Sequence, residues 1–262
     1  MHRKRSSIAI MRAVLFALML REIRGRFGAN RLGAFWFVCE PLAQLALLLV
    51  FFTIIRAPTV NGVPLLVFLI NGIVPFTLFK NIALTGMQAV NANRGLFAYR
   101  QIQAIDMVVA RTLVEIVLMS LVYIAMLFSL SFFGGINIAF PDPISWVMAL
   151  LVGVVLSFAS AILFCIFISY FPELANIVRM LYFPLYLISG VIFPVFALPQ
   201  DVMGYLLWNP YLHIIEMLRL FSISYYHATP HLSYSYPIAV AVVALFVSIF
   251  FYRKTKSRLV AA

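Results

Sequence analysis

Long apolar runs, separated by short polar breaks, dominate the pattern of hydrophobic and polar positions along this chain. A helix needs about 20 apolar residues to cross the hydrocarbon of a bilayer. Six runs reach or approach that length, at about residues 33–55, 64–84, 107–133, 144–169, 176–194 and 236–252. The pattern therefore predicts an all-α integral membrane protein with six transmembrane helices, which we number as spans 1 to 6.

The chain before span 1 predicts a helix of another kind. Residues of about 8–28 form a shorter apolar run that Arg12 interrupts and that ends in "REIRGRFG". A signal peptide would end in a small-residue cleavage site, and none follows here. We therefore expect an amphipathic helix that lies in the cytoplasmic interface of the membrane.

Two further segments lie between the spans. The break of about 86–104, between spans 2 and 3, is polar and contains Arg94 and Arg100. Residues of about 199–222, between spans 5 and 6, predict two short helices that are broken at Asn209-Pro210, because proline interrupts a helix. Each of these two helices is too short to cross the membrane, so we expect re-entrant or periplasmic helices on its outer side.

The positions of the charges indicate the orientation of the chain. Apolar residues make up 65% of the sequence, and the formal net charge of +11 could by itself indicate a nucleic-acid partner. Most basic residues, however, lie in the N-terminal arm, the break after span 2 and the C-terminal tail. Because Lys and Arg are enriched in cytoplasmic loops, this distribution predicts two cytoplasmic termini and no nucleic-acid partner.

Span 1 carries polar residues on one face. Trp36, Glu40 and Gln44 follow one another at helical spacing, and a carboxylate inside a bilayer costs about 3 kcal/mol on insertion scales. Such a residue usually faces protein or water rather than lipid. Two interpretations are open: these side chains line a transport pore, or they form structural hydrogen bonds with another span.

Span 5 has an aromatic face. Tyr182, Tyr186 and Phe193 share that face with the small residues Ser189 and Gly190. The aromatic side chains could line a water-filled pore and stack on sugar rings. Small residues on the same face favour close packing of two helices instead, and both interpretations agree with the sequence.

Two groups of charged residues predict internal contacts. Arg111 and Glu115 lie one turn apart in span 3 and predict a structural pair. His213, Glu216 and Arg219 follow at three-residue steps in the second short helix. A His-x-x-Glu motif can ligate metal, but the sequence has no second one, so we expect a polar cluster and no metal site.

The sequence holds no motif for catalysis. It has no G-x-x-x-x-G-K-[ST] segment of the kind that binds ATP in P-loop enzymes, and no Ser-His-Asp or zinc-ligand arrangement. We therefore expect a chain that is not an enzyme by itself and holds no cofactor. If it pumps, its energy comes from another chain or from an ion gradient.

The order of these parts resembles the membrane subunit of ABC-2 type transporters and, within them, the capsular polysaccharide exporter branch. The resemblance covers residues of about 20–222 and is carried, in order, by "RLGAFWFVCEP", "NGIVPFTLF", "LFAYRQIQAIDMVVARTLVE", "SGVIFPVFALP" and "WNPYLHIIEMLR". One position departs from the family pattern, because the Pro that usually follows the Tyr of the cytoplasmic segment is Arg100 here.

The resemblance implies a single ABC-2 type transmembrane domain over residues 1–262, with two copies forming the pore as a homodimer. It also implies two separate ATP-binding cassette subunits, which hold ATP and Mg and dock on the cytoplasmic coupling segment of about 86–104. In this sequence, the coupling residues would be Arg94, Tyr99 and Arg100.

The resemblance further implies export of a lipid-linked, often acidic polysaccharide across the inner membrane of a bacterial cell. A periplasmic polysaccharide co-polymerase or adaptor and an outer-membrane exporter would receive the substrate. A gate at the periplasmic exit would then contain Asn209, Pro210, His213, Glu216 and Arg219.

The arginines before span 1 suit such a substrate. Arginine binds lipid phosphate or sugar carboxylate in a bidentate manner, so we expect Arg24, Arg26 and Arg31 to receive the lipid head group where the substrate enters. The alternative is that these arginines only set the topology and adhere to anionic membrane lipids.

Other functions predict features of their own. The resemblance also leaves open an ABC-2 permease for another glycan, such as O-antigen or teichoic acid. A gradient-driven transporter typically has inverted repeats, and no internal repeat is visible in this sequence. A membrane-embedded enzyme needs clustered carboxylates or histidines at one interface, whereas the carboxylates of this chain are scattered.

Overall fold

The computed structural model of the protein describes residues 7–27, 33–54, 59–60, 63–98, 102–135, 140–224, 226 and 229–261. Its helices in that part are α1 (Ser7–Phe27), α2 (Gly33–Ile54), α3 (Leu65–Met87), α4 (Ala104–Gly134), α5 (Pro143–Tyr170), α6 (Leu174–Ile188), α7 (Gln200–Leu206), α8 (Pro210–Ser222) and α9 (Ser235–Ala261). The smaller elements are a 3₁₀-helix at Asn91–Ala98, a second one at Val195–Ala197, and an antiparallel pair of short strands, Thr59–Val60 and Val63–Pro64.

Four helices in the described part of the chain are long and apolar enough to cross a membrane. They are α3, residues Ala104–Phe133 of α4, α5, and residues Ser235–Lys256 of α9. They correspond to the predicted spans 2, 3, 4 and 6. Shorter apolar helices lie at Cys39–Leu48 within α2 and along α6. The prediction of an all-α membrane protein is therefore confirmed.

The helix of the predicted fifth span is shorter than expected. α6 has 15 residues, which is about 22 Å at 1.5 Å per residue, whereas the hydrocarbon of a bilayer is about 30 Å thick. The predicted end near residue 194 is wrong, because the helix stops at Ile188. Gly190 then adopts a left-handed conformation with φ 66°. Glycine adopts this conformation readily, and it commonly ends a helix.

α5 and α9 run in the same direction through the bundle. The last third of each helix lies beside the start of α4, where Cys165, Tyr252 and Val108 line one small apolar pocket. The backbone N–H of Ile105 donates to the Tyr252 hydroxyl at 3.3 Å. Since α5 and α9 are adjacent and parallel, the chain between them has to return to the end of the bundle where α5 begins. Residues 171–234 together therefore cross the bundle once.

We call the end of the bundle where α3 ends and α4 begins the basic end. Two arginines of α1, Arg21 and Arg24, are exposed, and α1 packs on this end of α4. The last turns of α9 add the exposed residues Arg253, Lys254 and Lys256. These positions agree with the charge distribution on which the predicted orientation rests.

α3 is the central helix of the bundle. Along its most apolar stretch, 83% of the residues are buried. Small residues permit close approach of α3 and α5: a Cβ on Gly86 would lie 2.7 Å from the Cβ of Ala161, and a Cβ on Gly153 would overlap the ring of Phe79. The apolar core therefore surrounds α3.

α1 differs from the predicted interfacial helix. Glu22 and Arg26 of α1 contact Arg111 and Glu115 of α4 at the same four-residue step, so the second half of α1 runs alongside α4. With 31 residues, α4 is about 46 Å long and exceeds the hydrocarbon thickness of about 30 Å. α1 thus turns part of its polar face towards the basic end of α4 instead of water.

α8 lies inside the bundle, alongside α3 and in the opposite direction. Tyr211, at its start, packs against the rings of Phe76 and Phe79, whereas Arg219, two turns later, lies over the ring of Phe68. These contacts place α8 at the depth of a membrane-crossing helix. Of the two predicted alternatives, re-entrant or periplasmic, the position of α8 fits the re-entrant one.

Substituting Gly86 tests whether close packing around α3 limits stability. Gly86→Leu forces a side chain into the contact with Ala161, so we expect the free energy of unfolding to fall by about 1–3 kcal/mol. Gly25→Leu is the matched control, because nothing lies within 4 Å of a Cβ built there and leucine favours a helix over glycine. Thermal unfolding in detergent measures both, and equal stability of the two variants would contradict the packing argument.

Candidate functional site: the α1–α4 network and the α8 network

The first polar network, the α1–α4 network, consists of Glu22, Arg26, Arg111 and Glu115. Arg26 Nη2 donates to Glu115 Oε1 at 2.6 Å, and Arg26 Nε donates to Glu22 Oε1 at 3.2 Å. The other oxygen of Glu22 accepts from Arg111 Nε at 3.1 Å. Acidic and basic side chains therefore alternate in one chain of ion pairs that joins α1 to α4.

The α1–α4 network is largely shielded from water. The Glu115 side chain is fully buried, and the Arg26 side chain is 21% exposed. Burial acts to lower the pKa of Arg26, but the carboxylates of Glu115 and Glu22 outweigh it, so the pKa of Arg26 is raised. Arg26 thus stays charged, which Glu115 requires, because an unpaired buried carboxylate is strongly unfavourable.

The α1–α4 network also reaches the end of α3. Arg111 Nη1 donates to the backbone carbonyl of Thr85 at 2.6 Å, two residues before α3 ends at Met87. The chain then enters the predicted coupling segment, where the 3₁₀-helix Asn91–Ala98 is kinked at Asn93 (φ −126°, ψ 20°). The network therefore connects α1, α4 and the start of the coupling segment.

The predicted pair between Arg111 and Glu115 is wrong. Each of the two side chains finds its partner on α1, where Glu22 and Arg26 repeat the same spacing with the opposite order of charge. Neighbours at a four-residue step on one helix interact only weakly, whereas the partners on α1 also satisfy buried hydrogen-bonding groups. The approach of a second helix therefore decides the pairing.

The three arginines predicted at the entrance of the substrate have different outcomes in the structure. The guanidinium of Arg26 is bound to two carboxylates, so it is not free for an anionic head group, and its predicted role is corrected to holding α1 on α4. Arg24 is exposed on α1, and Arg31 lies outside the described residues. A role in substrate entrance stays a prediction for those two residues.

The predicted pore-lining residues of α2 have partners of different kinds. Glu40 Oε1 accepts from Lys80 Nζ of α3 at 2.7 Å, and the Glu40 side chain is 49% exposed. Gln44 is half-buried, and its buried Oε1 has no hydrogen-bond partner among the residues that the structure describes. The Trp36 side chain lies outside that part. Glu40 therefore has a structural contact to another helix, and the pore role of all three residues stays a prediction.

The predicted pore-lining aromatics of span 5 pack against the centre of the bundle. Tyr182 is buried, and the ring of Tyr186 meets Phe76 of α3 edge-on at 5.4 Å between centroids. Phe193 is half-buried in the turn after α6. Edge-to-face pairs stabilise helix packing, so the packing interpretation accounts for Tyr186, and a pore-lining role stays a prediction.

The second polar network, the α8 network, is centred on the fully buried side chain of Arg219. Arg219 Nη1 donates to Glu216 Oε1 at 3.0 Å and to the Gly190 carbonyl at 2.7 Å, and Nη2 donates to the Val191 carbonyl at 2.7 Å. The guanidinium carbon lies 3.6 Å from the centroid of Phe68, a favourable cation–π contact. Arg219 thus ties α8 to the turn after α6 and to α3.

Glu216 completes the α8 network towards α9. Its fully buried carboxylate accepts from the Tyr226 hydroxyl at 3.1 and 3.0 Å and from the Thr229 hydroxyl. Both hydroxyl groups lie in the chain that connects α8 to α9. The Glu216–Arg219 pair therefore fixes three segments relative to one another, whereas a buried pair adds little net stability.

Asn71 extends the α8 network to α4. Asn71 Oδ1 accepts from the Tyr123 hydroxyl at 2.6 Å and from the Ser222 hydroxyl at 2.8 Å. The next residue is Gly72, and a Cβ there would overlap the guanidinium of Arg219. The sequence Asn71-Gly72 therefore supplies both a hydrogen-bond acceptor and the space that the α8 network needs.

Asn209 and Pro210, two residues of the predicted gate, form the start of α8. Asn209 Oδ1 accepts from the backbone N–H of Tyr211 at 3.0 Å, and its Nδ2 donates to the Ser189 hydroxyl at 2.8 Å. Pro210 is the first residue of the helix, where its missing N–H costs nothing. The same asparagine thus caps α8 and holds the end of α6.

His213 is separate from the other two residues of the predicted cluster. His213 Nε2 donates to the Leu207 carbonyl at 2.9 Å, and Nδ1 accepts from the backbone N–H of Ser233 at 3.2 Å. A ring that donates with one nitrogen and accepts with the other is a neutral imidazole. The expected cluster of His213, Glu216 and Arg219 is therefore divided into an ion pair and a neutral histidine.

Two further predictions concern the coupling residues and the absence of a metal site. The coupling residues Tyr99 and Arg100, and the side chain of Arg94, lie outside the described residues. Within the described ranges, no group of three or more His, Cys, Asp or Glu side chains could hold a metal ion.

Sequence reasoning missed several partners in these networks. Lys80 and Asn71 are polar residues inside an apolar span, and that signal could have identified them. Glu22 is the only acidic residue of the basic "REIRGR" segment. Tyr226 and Thr229 lie in a connecting segment and carry no such signal.

Neutralising Arg26 tests whether the α1–α4 network holds α1 in place. Arg26→Gln leaves the carboxylate of Glu115 buried without its cation, so we expect the free energy of unfolding to fall by about 3–5 kcal/mol. Arg24→Gln, on the exposed side of the same helix, is expected to change it little. Limited proteolysis of α1 and thermal unfolding measure the effect, and equal behaviour of both variants would contradict the assignment.

Similarity to known proteins extends over almost the whole chain. No family model matches it. The sequence is 34% identical to the polysialic acid transport protein KpsM of Escherichia coli over 249 residues, which are 95% of this chain and 96% of that protein. It is 26% identical to the capsule polysaccharide export inner-membrane protein CtrC of Neisseria meningitidis serogroup A, over 81% of this chain and 80% of the relative.

A third relative has the same kind of name. The capsule polysaccharide export inner-membrane protein BexB of Haemophilus influenzae is 28% identical over 82% of this chain and 81% of its own length. The membrane-crossing helices of the structure agree with an inner-membrane location for these proteins. The chain therefore belongs to the ABC-2 type permeases of capsular polysaccharide export.

Proposed function

We propose that this protein is the membrane-spanning subunit of an ATP-driven exporter that moves lipid-linked capsular polysaccharide across the bacterial inner membrane. The observation that carries the proposal is the match to the polysialic acid transport protein over 95% of the chain. The names of the other relatives specify capsule polysaccharide export. In this proposal, the substrate is a polysaccharide on a lipid anchor.

In this proposal, ATP is hydrolysed by separate subunits. The sequence contains no P-loop motif, so two ATP-binding cassette subunits bind ATP and Mg and act on two copies of this chain. They dock on the coupling segment of about 86–104. Support comes from the bond between Arg111 and the Thr85 carbonyl, which connects the start of that segment to α1 and α4.

The basic end of the bundle is cytoplasmic in this proposal. The positive-inside rule assigns that side to Arg21 and Arg24 of α1 and to the basic residues at the end of α9. The shared direction of α5 and α9 is compatible with six crossings, if α2 is the first and residues 171–234 together supply the fifth. Both termini then lie in the cytoplasm, and the opposite end faces the periplasmic adaptor and the outer-membrane exporter.

α8 and the chain around it form the periplasmic half of the pore and its gate. Three elements meet at the buried Glu216–Arg219 pair: the turn after α6, α3, and the segment before α9. A gate that opens must rearrange at least one of these contacts. We assign this role to Glu216 and Arg219, with Asn209 and Pro210 fixing the start of the helix.

Exchange of the arginines at the entrance tests substrate recognition. Arg24→Gln combined with Arg31→Gln removes two cations that bind an anionic head group, so we expect surface capsule to fall several-fold at unchanged protein level. Arg24→Lys with Arg31→Lys retains the charge and is expected to preserve part of the export. Arg12→Gln, another exposed arginine of α1, is the matched control. Unchanged capsule in the double glutamine variant would remove these arginines from the proposal.

The energy source is tested in membrane vesicles. The complex of this chain with its ATPase is expected to move lipid-linked polysaccharide with ATP and to continue in the presence of an uncoupler. Export that stops with the uncoupler, or that proceeds without any ATPase, would overturn the proposal in favour of a gradient-driven transporter.

A further inference from the structure

Three residues near the end of α9 share one face of that helix. Tyr252, Lys256 and Leu259 follow one another at steps of four and three residues. Tyr252 and Leu259 are 7% and 3% exposed, whereas Arg253 and Lys254, which point in other directions, are exposed. The stretch of α9 that can cross the membrane ends at Lys256. Because Leu259 is buried beyond that point, other parts of the protein cover it.

Leu259 packs against both ends of the coupling segment. It belongs to one apolar cluster with Val90, near the start of that segment, and with Ala104, at its end. The same three residues and Cys165 of α5 line one pocket of about 10 Å³, which leaves hardly any room for a water molecule. The end of α9 is therefore packed against the point where the coupling segment begins and ends.

Tyr252 caps the helix that follows the coupling segment. The first N–H groups of a helix have no partner within it, and α4 begins at Ala104. The backbone N–H of Ile105 donates to the Tyr252 hydroxyl at 3.3 Å. Such a cap usually comes from a Ser, Thr, Asp or Asn at the N-cap position, which Gln103 occupies here. Lys256 Nζ donates to Gln103 Oε1 at 3.3 Å, so α9 supplies contacts that local residues would normally make.

The other end of α9 contacts the chain at the start of α8. The Tyr236 hydroxyl donates to the carbonyl of Trp208, two residues before α8, at 2.7 Å, and the Tyr236 ring meets His213 edge-on at 5.3 Å between centroids. Tyr252 lies sixteen residues after Tyr236, about 24 Å along the helix. The proline of α9, Pro237, lies in its first turn, where proline does not break a helix. One continuous helix thus joins the two sets of contacts.

We propose that Tyr252 and Leu259 are positioning residues for ATP-driven export: they seat both ends of the coupling segment on α9. Displacement of the segment by the ATPase then also moves α9 and, through Tyr236, the start of α8. This inference rests on the proposed function, because it takes the coupling segment as the contact of the ATPase. It adds a second connection to α8, beside the one through α3.

The alternative is that the end of α9 only holds the protein to the membrane surface. Exposed basic residues attract anionic lipids, and Arg253 and Lys254 are sufficient for that role. It does not account for Tyr252 and Leu259, which face the protein. The tests below therefore alter these two residues and leave the exposed charges in place.

Hydrogen exchange of the full chain, without the ATPase, tests the seat itself. Tyr252→Phe removes the hydroxyl and keeps the ring, so the backbone N–H of Ile105 loses its acceptor. We expect exchange in a peptide of residues 102–107 to become about two- to tenfold faster, as the loss of one hydrogen bond implies. Tyr205→Phe is the matched control, because Tyr205 is exposed on α7. Equal exchange in both variants would overturn the proposal.

The amount of polysaccharide exported per ATP hydrolysed tests the function of the seat. In proteoliposomes with the ATPase, Leu259→Ala is expected to lower this ratio several-fold while the complex still assembles. Leu259→Met retains an apolar side chain of similar size and is expected to restore it. Val242→Ala, at an exposed position of the same helix, is the matched control. A merely structural role would reduce the amount of complex and leave the ratio unchanged, and that result would overturn the proposal.

Variants at the two ends of α9 test the connection between them. Tyr236→Phe removes the bond to Trp208 and is expected to lower the ratio, as Tyr252→Phe does at the other end. Because both act on one connection, the double variant is expected to lose less than the product of the two single losses. Independent effects of the two substitutions would overturn the role of α9 as a connection, even if Leu259→Ala does not fold.

Failure of the proposed function gives a different result. Export by the wild type that does not depend on ATP would overturn the proposed function and with it this role of α9. Export that depends on ATP, with an unchanged ratio in both Tyr252→Phe and Leu259→Ala, would overturn the present inference alone.

Discussion

The hydrocarbon of a bilayer offers no hydrogen-bond partner, so each polar group below the membrane surface has to be satisfied by the protein itself. This constraint explains where the few charged side chains of the bundle lie. Glu115 is fully buried against Arg26, and Glu216 is fully buried against Arg219. In both networks the charges also bond to a second element, so the need to satisfy a buried charge fixes the arrangement of helices that apolar packing alone would leave adjustable.

α3 connects the two networks. At its end, the Thr85 carbonyl accepts from Arg111 of the α1–α4 network, and near its start Asn71 and Gly72 belong to the α8 network. Thirteen residues separate Gly72 from Thr85, which is about 20 Å along a helix. Between these points α3 is buried and closely packed, although Pro75 interrupts its backbone hydrogen bonding, so one continuous helix joins the α1–α4 network to the α8 network.

Hydropathy predicted the membrane-crossing helices α3, α4, α5 and α9 because each depends on local composition over about 20 residues. It failed where distant parts of the chain decide. The partners of Arg111 and Glu115 depend on the approach of α1, and α6 ends early because Gly190 turns the chain. α8 is too short to span, so its length left a re-entrant or a periplasmic helix open, and its contacts with distant elements decide that it lies within the bundle.

The position of α8 also limits how the proposed gate could move. A buried ion pair gives little net stability compared with apolar residues of similar size, so the Glu216–Arg219 pair acts mainly through the geometry it imposes. The Gly190 carbonyl, the ring of Phe68 and the Tyr226 hydroxyl hold this pair from three directions, and Asn209 fixes the start of the helix to Ser189. A hinge at Asn209-Pro210 that moved α8 alone would keep the Glu216–Arg219 pair, because both residues lie on α8, but it would leave the pair buried without its bonds to the Gly190 carbonyl and the Tyr226 hydroxyl. Movement of α8 together with the turn after α6 and the segment before α9 keeps both charges satisfied, and it is therefore the rearrangement that the structure favours.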